Sequence, residues 1–349
     1  MPAPSAEALE ALAGEKILIT GAGGSIGSAL ALRTAALGPR ELIVLESSEG
    51  KLFALQSSLR KSDPACPTRF VLGSVLDRNL LDEIFDLQRP TVVFHAAACK
   101  QVPLLEEQPL AAIETNVFGT QTLTRAAKPH NARVILLSTD KAVEPASVMG
   151  ATKRVAEQIV LNSGGTVLRL GNVLGSSGSV AEVFVEQIRR GNPLTVTDPA
   201  SYRYFLTIEE AVDLLLSAFG ERVPLELLVP ALEVQHPIAD LARFMVRALE
   251  PGQDPGLAFI SARAGDKVAE KLFGAEEEID AVRASGLRPV LSPKIDAGFL
   301  HRTLTQMRQA FDTRDLPGAL AALQRLVPDY TPSPALQSLI ERAAQRVSL

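Results

Sequence analysis

The feature that most constrains the fold is a regular alternation of short apolar strands and longer helical segments through the first half of the chain. Runs rich in valine, isoleucine and leucine alternate with helical patterns of ten or more residues. The predicted strands are residues 16–20, 41–45, 69–72, 91–95, 133–137 and 166–170. Apolar strands separated by helices predict an α/β fold with a doubly wound parallel sheet.

A glycine-rich loop joins the first predicted strand to the first long helix. Its residues are Thr20, Gly21, Gly24, Ser25, Ile26 and Gly27. Glycines at this spacing allow a tight turn, close approach of the backbone to a pyrophosphate and close packing of the helix, whose N-terminus then faces the phosphates. The loop therefore indicates a Rossmann dinucleotide site. An ordinary glycine turn is the alternative.

Glu46 follows the second predicted strand, where dinucleotide sites often carry an acid. A carboxylate there accepts hydrogen bonds from both ribose hydroxyls and repels a 2′-phosphate. We therefore expect NAD, not NADP, as the cofactor. The alternative is that Glu46 is a solvated surface charge.

Composition narrows the class of protein. The chain has 349 residues, 46% of them hydrophobic, and a formal net charge of −5. This length accommodates a large α/β domain with an appended lobe, and the lack of a basic stripe argues against a nucleic-acid partner. Cys66 and Cys99 lack disulfide or metal-ligand spacing, so we expect a reducing compartment and no metal. With no leader or membrane-spanning run visible, we expect a cytoplasmic protein.

The alternating pattern loosens after Gly171, where glycine and serine dominate up to Ser179. We expect residues 1–171 to form the NAD-binding Rossmann domain and residues 172–300 mainly a smaller substrate lobe over the carboxyl edge of the sheet. Residues 301–349 have the pattern of amphipathic helices broken by prolines. We expect this C-terminal tail to serve packing or contacts in a homo-oligomer.

An acid and a base stand side by side after the strand at residues 133–137. Ser138 and Thr139 precede Asp140 and Lys141, and Lys153 follows on the next predicted helix. Lys141 can remove a proton only when neutral, a state that burial and a nearby ammonium of Lys153 would favour. Asp140 would then be an acid or an orienting carboxylate. The alternative is a solvated pair in a loop.

Longer stretches resemble the extended short-chain dehydrogenase/reductases, and among them the UDP-N-acetylglucosamine 4,6-dehydratases of flagellin- and capsule-sugar biosynthesis. The resemblance spans roughly residues 14–295. It is carried by residues 95–104, 115–120, 138–143, 149–154, 171–180, 195–199, 203–205 and 208–211.

The resemblance implies an internal redox cycle on a UDP-sugar, in which NAD takes hydride from C4′ and returns it to C6′. Lys141 would remove the C5′ proton, and Asp140 would protonate the departing 6′-hydroxyl, leaving a 4-keto-6-deoxy sugar. Thr139 would hydrogen-bond the 4′-hydroxyl, and Lys153 would hold the nicotinamide ribose. Oxidation at C4′ acidifies the C5′ proton, so a modest base suffices.

The same resemblance implies further binding residues. Those expected at the cofactor are Ala96, Ala97, Asn116 and Ser138. Those expected at the substrate are Lys100, Asn172, Ser179, Val180, Thr195, Arg203, Arg263 and Asp266. Arg203 and Arg263 would clamp the diphosphate, a task that suits a guanidinium, and Thr195 and Asp266 would face the uridine.

Met149 is the main departure from the family's pattern at a catalytic position, because a tyrosine usually stands four residues before the lysine. A thioether is no base, so the group that takes the 4′-hydroxyl proton is open between Asp140 and a water held by Thr139. One branch of the family has methionine here and is usually fused to membrane helices. The alternatives are a UDP-sugar epimerase acting at C5 or C4, and a non-catalytic NAD-binding scaffold, which Met149 favours.

Overall fold

The computed structural model describes residues 2–221, 226–250, 252, 255–261 and 263–347. The strands of these residues are β1 (Lys16–Thr20), β2 (Glu41–Glu46), β3 (Thr68–Leu72), β4 (Val92–His95), β5 (Arg133–Thr139), β6 (Thr166–Leu170), β7 (Asn172–Val173), β8 (Leu194–Val196), β9 (Tyr202–Arg203), β10 (Phe205–Leu206), β11 (Leu227–Pro230), β12 (His236–Pro237), β13 (Leu257–Phe259), β14 (Glu278–Ile279) and β15 (Leu287–Leu291).

The helices are α1 (Ala6–Ala13), α2 (Ser25–Ala36), α3 (Glu49–Lys61), α4 (Arg78–Gln88), α5 (Val102–Glu107), α6 (Pro109–Ala112), α7 (Thr120–Ala127), α8 (Val148–Asn162), α9 (Val180–Arg189), α10 (Ile208–Gly220), α11 (Ile238–Leu249), α12 (Ala297–Asp312), α13 (Leu316–Leu326) and α14 (Pro334–Val347). A π-helical turn (Ile113–Gly119) joins α6 to α7, so the three segments form one continuous but irregular helix. In the part of the chain that the structure describes, no helix is both long and apolar enough to cross a membrane.

The central sheet has nine strands among the described residues, in the order β3-β2-β1-β4-β5-β6-β11-β15-β14. Strands β3 to β11 of this order pair in parallel, and β15 and β14 are antiparallel additions at one edge. The predicted doubly wound α/β sheet is therefore confirmed. β11, β14 and β15 belong to the same sheet. The sheet therefore extends past residue 171, where we expected the NAD-binding domain to end.

Both faces of the sheet are covered, which explains why the strands read as continuous apolar runs. Side chains alternate between faces along a strand. Ile17 and Ile19 belong to the core under α2 and α10, and Leu18 belongs to the opposite core under α4 and α7.

The C-terminal tail packs on the helices next to the sheet. Leu304 and Met307 of α12 share one buried cluster with Met149 and Val155 of α8. The Arg308 guanidinium lies 3.5 Å from the centroid of the Phe118 ring, a cation–π contact. The tail thus supports the outer face of α8, and its role in an oligomer stays a prediction.

Candidate active site

The strand order reverses between β1 and β4, so a crevice opens at the carboxyl ends of the neighbouring strands. The loops after β1, β2, β4, β5 and β6 all end at this edge, and they carry most of the predicted residues. β5 continues to Thr139, beyond the predicted end, because Ser138 and Thr139 still pair with β6. The acid–base pair therefore begins directly at the strand end.

The glycine loop is packed too closely to carry side chains at two positions. Gly21 has φ +66°, and a Cβ there would lie 2.6 Å from the Cα of Ala97. A Cβ at Gly27 would lie 2.2 Å from the Gly21 carbonyl oxygen. The loop thus lies directly against the segment after β4 that includes Ala96 and Ala97. The helix that follows starts at Ser25 with no side-chain cap, which leaves N–H donors for an anion.

Glu46 is held beside this loop. Its side chain is buried, with Oε2 accepting a hydrogen bond from the Gly23 amide at 2.9 Å and Oε1 one from the Ser48 amide at 2.9 Å. The Ser47 hydroxyl adds a longer bond to Oε1 at 3.4 Å. A carboxylate has about four acceptor positions, so capacity remains for a ribose hydroxyl. This arrangement and the uncapped helix fit a dinucleotide.

Asn116 and His95 form a buried layer behind the crevice. The Asn116 amide bonds the backbone N and O of Cys99, at 2.8 and 3.0 Å, and so fixes the loop after β4. His95 lies between the Thr20 and Thr120 hydroxyls, and burial, then the charge of Lys153, lowers the pKa of His95 to about 3. Asn116 therefore supports the loop from behind, and its direct contact with a cofactor stays a prediction.

Asp140 and Lys141 form a close pair at the end of β5. The Lys141 Nζ donates to the Asp140 Oδ1 at 2.9 Å and to the Asn172 Oδ1 at 2.8 Å, and the Thr139 hydroxyl also donates to the Asp140 Oδ1 at 2.9 Å. Asp140 is fully buried, and its Oδ2 accepts no hydrogen bond from the described residues. An unpaired buried oxygen is uncommon, and it leaves this carboxylate able to take or give a proton.

Lys153 lies on α8 below this pair. Its Nζ donates to the Leu137 carbonyl at 2.7 Å, and burial, partly offset by the charge of Glu157, lowers the pKa of Lys153 to about 8. We expected its ammonium to act on Lys141. The described charged groups within 4 Å of the Lys141 Nζ are instead the carboxylates of Asp140 and Glu270.

The first turn of α8 carries Met149 and packs against the turn that holds Asp140 and Lys141. A Cβ on Gly150 would lie 2.2 Å from the Lys141 carbonyl oxygen, so glycine permits this close approach. Met149 is 3% exposed and belongs to the cluster shared with the tail. Burial in an apolar core is the observed environment of this side chain.

A serine-rich loop at residues 174–179 crosses the mouth of the crevice. The Ser177 amide donates to the Ser25 hydroxyl at 2.9 Å, and the Gln101 amide donates to the Ser177 carbonyl at 3.3 Å. The exposed Lys100 donates to the Ser176 hydroxyl at 3.3 Å. The loop links the glycine loop to the loop after β4, contacts that sequence reasoning did not foresee.

The predicted substrate residues of the lobe differ in whether their polar groups already have partners within the protein. Ser179 and Val180 lie at the start of α9, and the buried Ser179 hydroxyl has no hydrogen-bond partner among the described residues. Thr195 accepts a hydrogen bond from Gln187 at 2.8 Å. Arg263 and Asp266 pair with each other at 3.0 Å. Their roles at a substrate stay predictions.

Arg203 already forms hydrogen bonds with the backbone of the lobe. Its guanidinium donates to the carbonyls of Tyr202, Lys267 and Val268 at 2.7–2.9 Å. The residue is also buried. These contacts hold the loop after β13 and use three of the five guanidinium N–H donors, and the clamp assigned to Arg203 stays a prediction.

Sequence reasoning missed a buried charge network. Arg169 in β6 donates to the carboxylates of Glu157 and Glu277, and Glu157 also accepts from the Ser138 hydroxyl at 2.6 Å. An arginine inside the apolar run 166–170 was the available signal. The contact of Glu270 with Lys141 gave no local signal, because 129 positions separate the two residues.

The reversed strand order, the glycine cradle, the acid at the end of β2 and the acid–base pair after β5 define the class: a Rossmann-fold protein of the short-chain dehydrogenase/reductase type. The chain belongs to the polysaccharide biosynthesis protein family, whose model matches residues 17–288. The coarser part of the predicted resemblance is thus confirmed.

Individual relatives carry different names. The chain is 38% identical over 274 residues to the probable polysaccharide biosynthesis protein EpsC of Bacillus subtilis, covering 76% of this chain but only 46% of that protein. It thus spans about half that relative's length. It is 35% identical to the UDP-glucose 4-epimerase of Rickettsia rickettsii, covering 75% of this chain and 78% of the relative.

Solved structures share the fold. The dTDP-glucose 4,6-dehydratase DesIV of Streptomyces venezuelae, solved with NAD bound, superposes with a TM-score of 0.65 at 22% identity, covering 84% of this chain and 97% of that chain. At this identity the likeness shows the fold alone.

Proposed function

We propose that this protein is an NAD-dependent 4,6-dehydratase of a UDP-HexNAc, with UDP-N-acetylglucosamine as the expected substrate and a UDP-4-keto-6-deoxy sugar as the product. Its role would lie in the biosynthesis of a surface polysaccharide or glycan. The observation that carries the proposal is the 2.9 Å contact between the Lys141 Nζ and the Asp140 Oδ1, beside a second Asp140 oxygen that has no partner in the described part of the chain.

NAD fits the residues of the crevice. Gly21, Gly24, Ser25 and Gly27 would hold its pyrophosphate, Glu46 the adenosine ribose, and Lys153 the nicotinamide ribose. When bound, NAD supplies a reversible hydride acceptor for oxidation at C4′ and reduction at C6′.

The acid–base pair suits the elimination of water between C5′ and C6′. The step starts with Lys141 as a neutral amine beside Asp140 as a carboxylic acid. The amine then takes the C5′ proton, and the acid gives its proton to the departing hydroxyl, which leaves as water. Both groups end in the charged forms, and Lys141 can return a proton to C5′.

Because Met149 is not a base, another group must take the 4′-hydroxyl proton. Asp140 is suited to this step, because its free Oδ2 can accept a proton while Oδ1 stays bonded to Thr139 and Lys141. A carboxylate that receives the 4′-hydroxyl proton can later release it to the 6′-hydroxyl. One residue would then serve both proton transfers.

The test is conversion of UDP-N-acetylglucosamine or a close UDP-HexNAc, followed by mass spectrometry and NMR. We expect a product lighter by one water, no net reduction of NAD, and deuterium at C5′ when the reaction runs in deuterated water. Asp140→Asn should slow the conversion by roughly 10²–10⁴-fold, the range typical of a lost general acid or base.

Two other outcomes would replace the proposal. A product of unchanged mass with inverted C4′ would indicate a UDP-sugar epimerase, the function named for the Rickettsia relative. Binding of NAD without conversion of any UDP-sugar in a broad panel would favour a non-catalytic scaffold.

A further inference from the structure

Glu270 is a buried carboxylate to which the proposed mechanism gives no role. It is 2% exposed, although it lies in the loop between β13 and β14. Its Oε1 is 3.9 Å from the Lys141 Nζ, and its Oε2 is 2.7 Å from the Lys267 Nζ. A buried carboxylate is costly unless its charge is compensated. The two ammonium groups compensate it, and one of them belongs to the reacting lysine.

The contacts of Lys141 come from two parts of the molecule. An ammonium has three N–H donors. Two of them point to Asp140 and Asn172 at the ends of sheet strands, at 2.9 and 2.8 Å. Glu270 adds a longer electrostatic contact from the lobe. The lobe therefore contributes a fixed negative charge to the lysine at the sheet edge.

A second ion pair joins the same two segments, the turn at residues 140–144 and the lobe loop at residues 267–271, but it does not contact Lys141. The Lys271 ammonium contacts the Glu144 carboxylate at 2.8 Å, and both side chains are largely exposed, at 60% and 42%. Lys267, which neighbours Glu270, also donates to the Val143 carbonyl at 2.9 Å. The Lys271–Glu144 pair and the Glu270–Lys141 contact thus connect the same two segments, and only the contact of Glu270 involves Lys141.

We propose that Glu270 is a positioning residue for the proton transfer, a role that rests on the proposed function. When Lys141 takes the C5′ proton, the C–H bond breaks, an N–H bond forms, and the electron pair stays on the sugar to expel the hydroxyl that Asp140 protonates. Positive charge develops on Lys141 in this step. The carboxylate of Glu270 stabilises that charge and holds the Nζ in place without exchanging a proton itself.

The test compares Glu270→Gln with Glu144→Gln in the full chain. Glutamine keeps the shape of each side chain and removes its charge. We expect Glu270→Gln to lower kcat for dehydration by roughly 10- to 100-fold, with little change in KM, as for a misplaced catalytic group. Glu144→Gln should leave kcat unchanged. If Glu270 only tied the lobe to the sheet, both variants would raise KM and neither would lower kcat.

A second readout needs no sugar. The rate at which an amine-acylating reagent labels Lys141, followed by peptide mass spectrometry, reports the neutral amine. Losing the neighbouring negative charge favours that form, so Glu270→Gln should speed the labelling of Lys141 and leave Lys271 unchanged. Glu144→Gln should speed the labelling of Lys271 and leave the labelling of Lys141 unchanged.

The outcomes separate the two proposals. Unchanged labelling of Lys141, or an unchanged kcat, in Glu270→Gln overturns the role of Glu270. If the wild type converts no UDP-sugar while the labelling responds as expected, the proposed function fails and the coupling between Glu270 and Lys141 stands.

Discussion

Two charged clusters lie next to α8, and they differ in how completely their charges are paired. In the buried network, Arg169 forms four hydrogen bonds at 2.7–2.9 Å with the carboxylates of Glu157 and Glu277. Arg154 adds bonds to both carboxylates at 3.1 and 2.8 Å. In the proposed catalytic pair of Asp140 and Lys141, the buried Asp140 Oδ2 has no hydrogen-bond partner among the described residues.

The electrostatics follow this pairing. Burial by itself raises the pKa of Glu277, but the hydrogen bond and charge of Arg169 outweigh it and bring the pKa to about 2. For Glu157, burial is likewise outweighed by Arg169, and the pKa is lowered. These carboxylates stay charged at all ordinary pH values. The fully paired network therefore anchors α8 and β6, while the proton exchange proposed for Asp140 and Lys141 falls on the incompletely paired cluster.

The largest effect that this contrast predicts is on activity at the catalytic pair. Lys141→Ala should lower dehydration by roughly 10²–10⁴-fold, because the base is removed. Removing the ammonium also leaves the fully buried Asp140 carboxylate without its cation, so the free energy of unfolding should fall as well. Product formation and urea unfolding measure the two quantities, with Lys271→Ala as the control on a surface lysine. Turnover near that of the wild type would refute the role of Lys141.

The converse effect is expected in the buried network. Arg169→Leu leaves two buried carboxylates without their main partner and should lower the free energy of unfolding by about 3–5 kcal/mol. Urea unfolding measures it. Arg283→Leu is the control, because its ion pairs with Glu221 and Glu226 are partly exposed and should contribute only about 1 kcal/mol. Equal losses in both variants would contradict the distinction between the clusters.

A smaller effect concerns the pH dependence of cofactor binding. The pKa of Lys153 is lowered to about 8, so its ammonium is lost as the pH rises through that value. If the ammonium holds the nicotinamide ribose, NAD affinity should fall between pH 7 and pH 9. The Lys153→Arg variant keeps its charge and should bind NAD with the same affinity at pH 7 and pH 9. The Lys153→Met variant should bind NAD weakly at both pH values. Calorimetric titration distinguishes these cases, and a wild-type affinity independent of pH would contradict the role.

The smallest effect is expected at Met149. Met149→Leu preserves the apolar contacts with the tail and should cost less than about 1.5 kcal/mol in the free energy of unfolding. Turnover should stay close to that of the wild type, because a thioether carries no proton. A large loss of turnover with stability preserved would show that the sulfur itself takes part in the reaction.

Much of the sheet was predictable because its signals are local. Each predicted strand from residues 16–20 to 166–170 has a counterpart, and the glycine loop and Glu46 lie together as strand, turn and helix require. β11 and β15 were missed as members of the sheet, since short strands after residue 172 carry no sign of the distant strand that they pair with.

The sequence by itself determined the alternation of strands and helices, the glycine cradle, and the presence of an acid beside a base at a strand end. These follow from side-chain periodicity and from chain neighbours. The tertiary structure decided which charges are paired: Arg169 with Glu157 and Glu277, and Lys141 with Asn172 and Glu270. Coulombic and hydrogen-bond contacts act over a few ångströms in space, and residues more than a hundred positions apart meet only after the lobe folds onto the sheet.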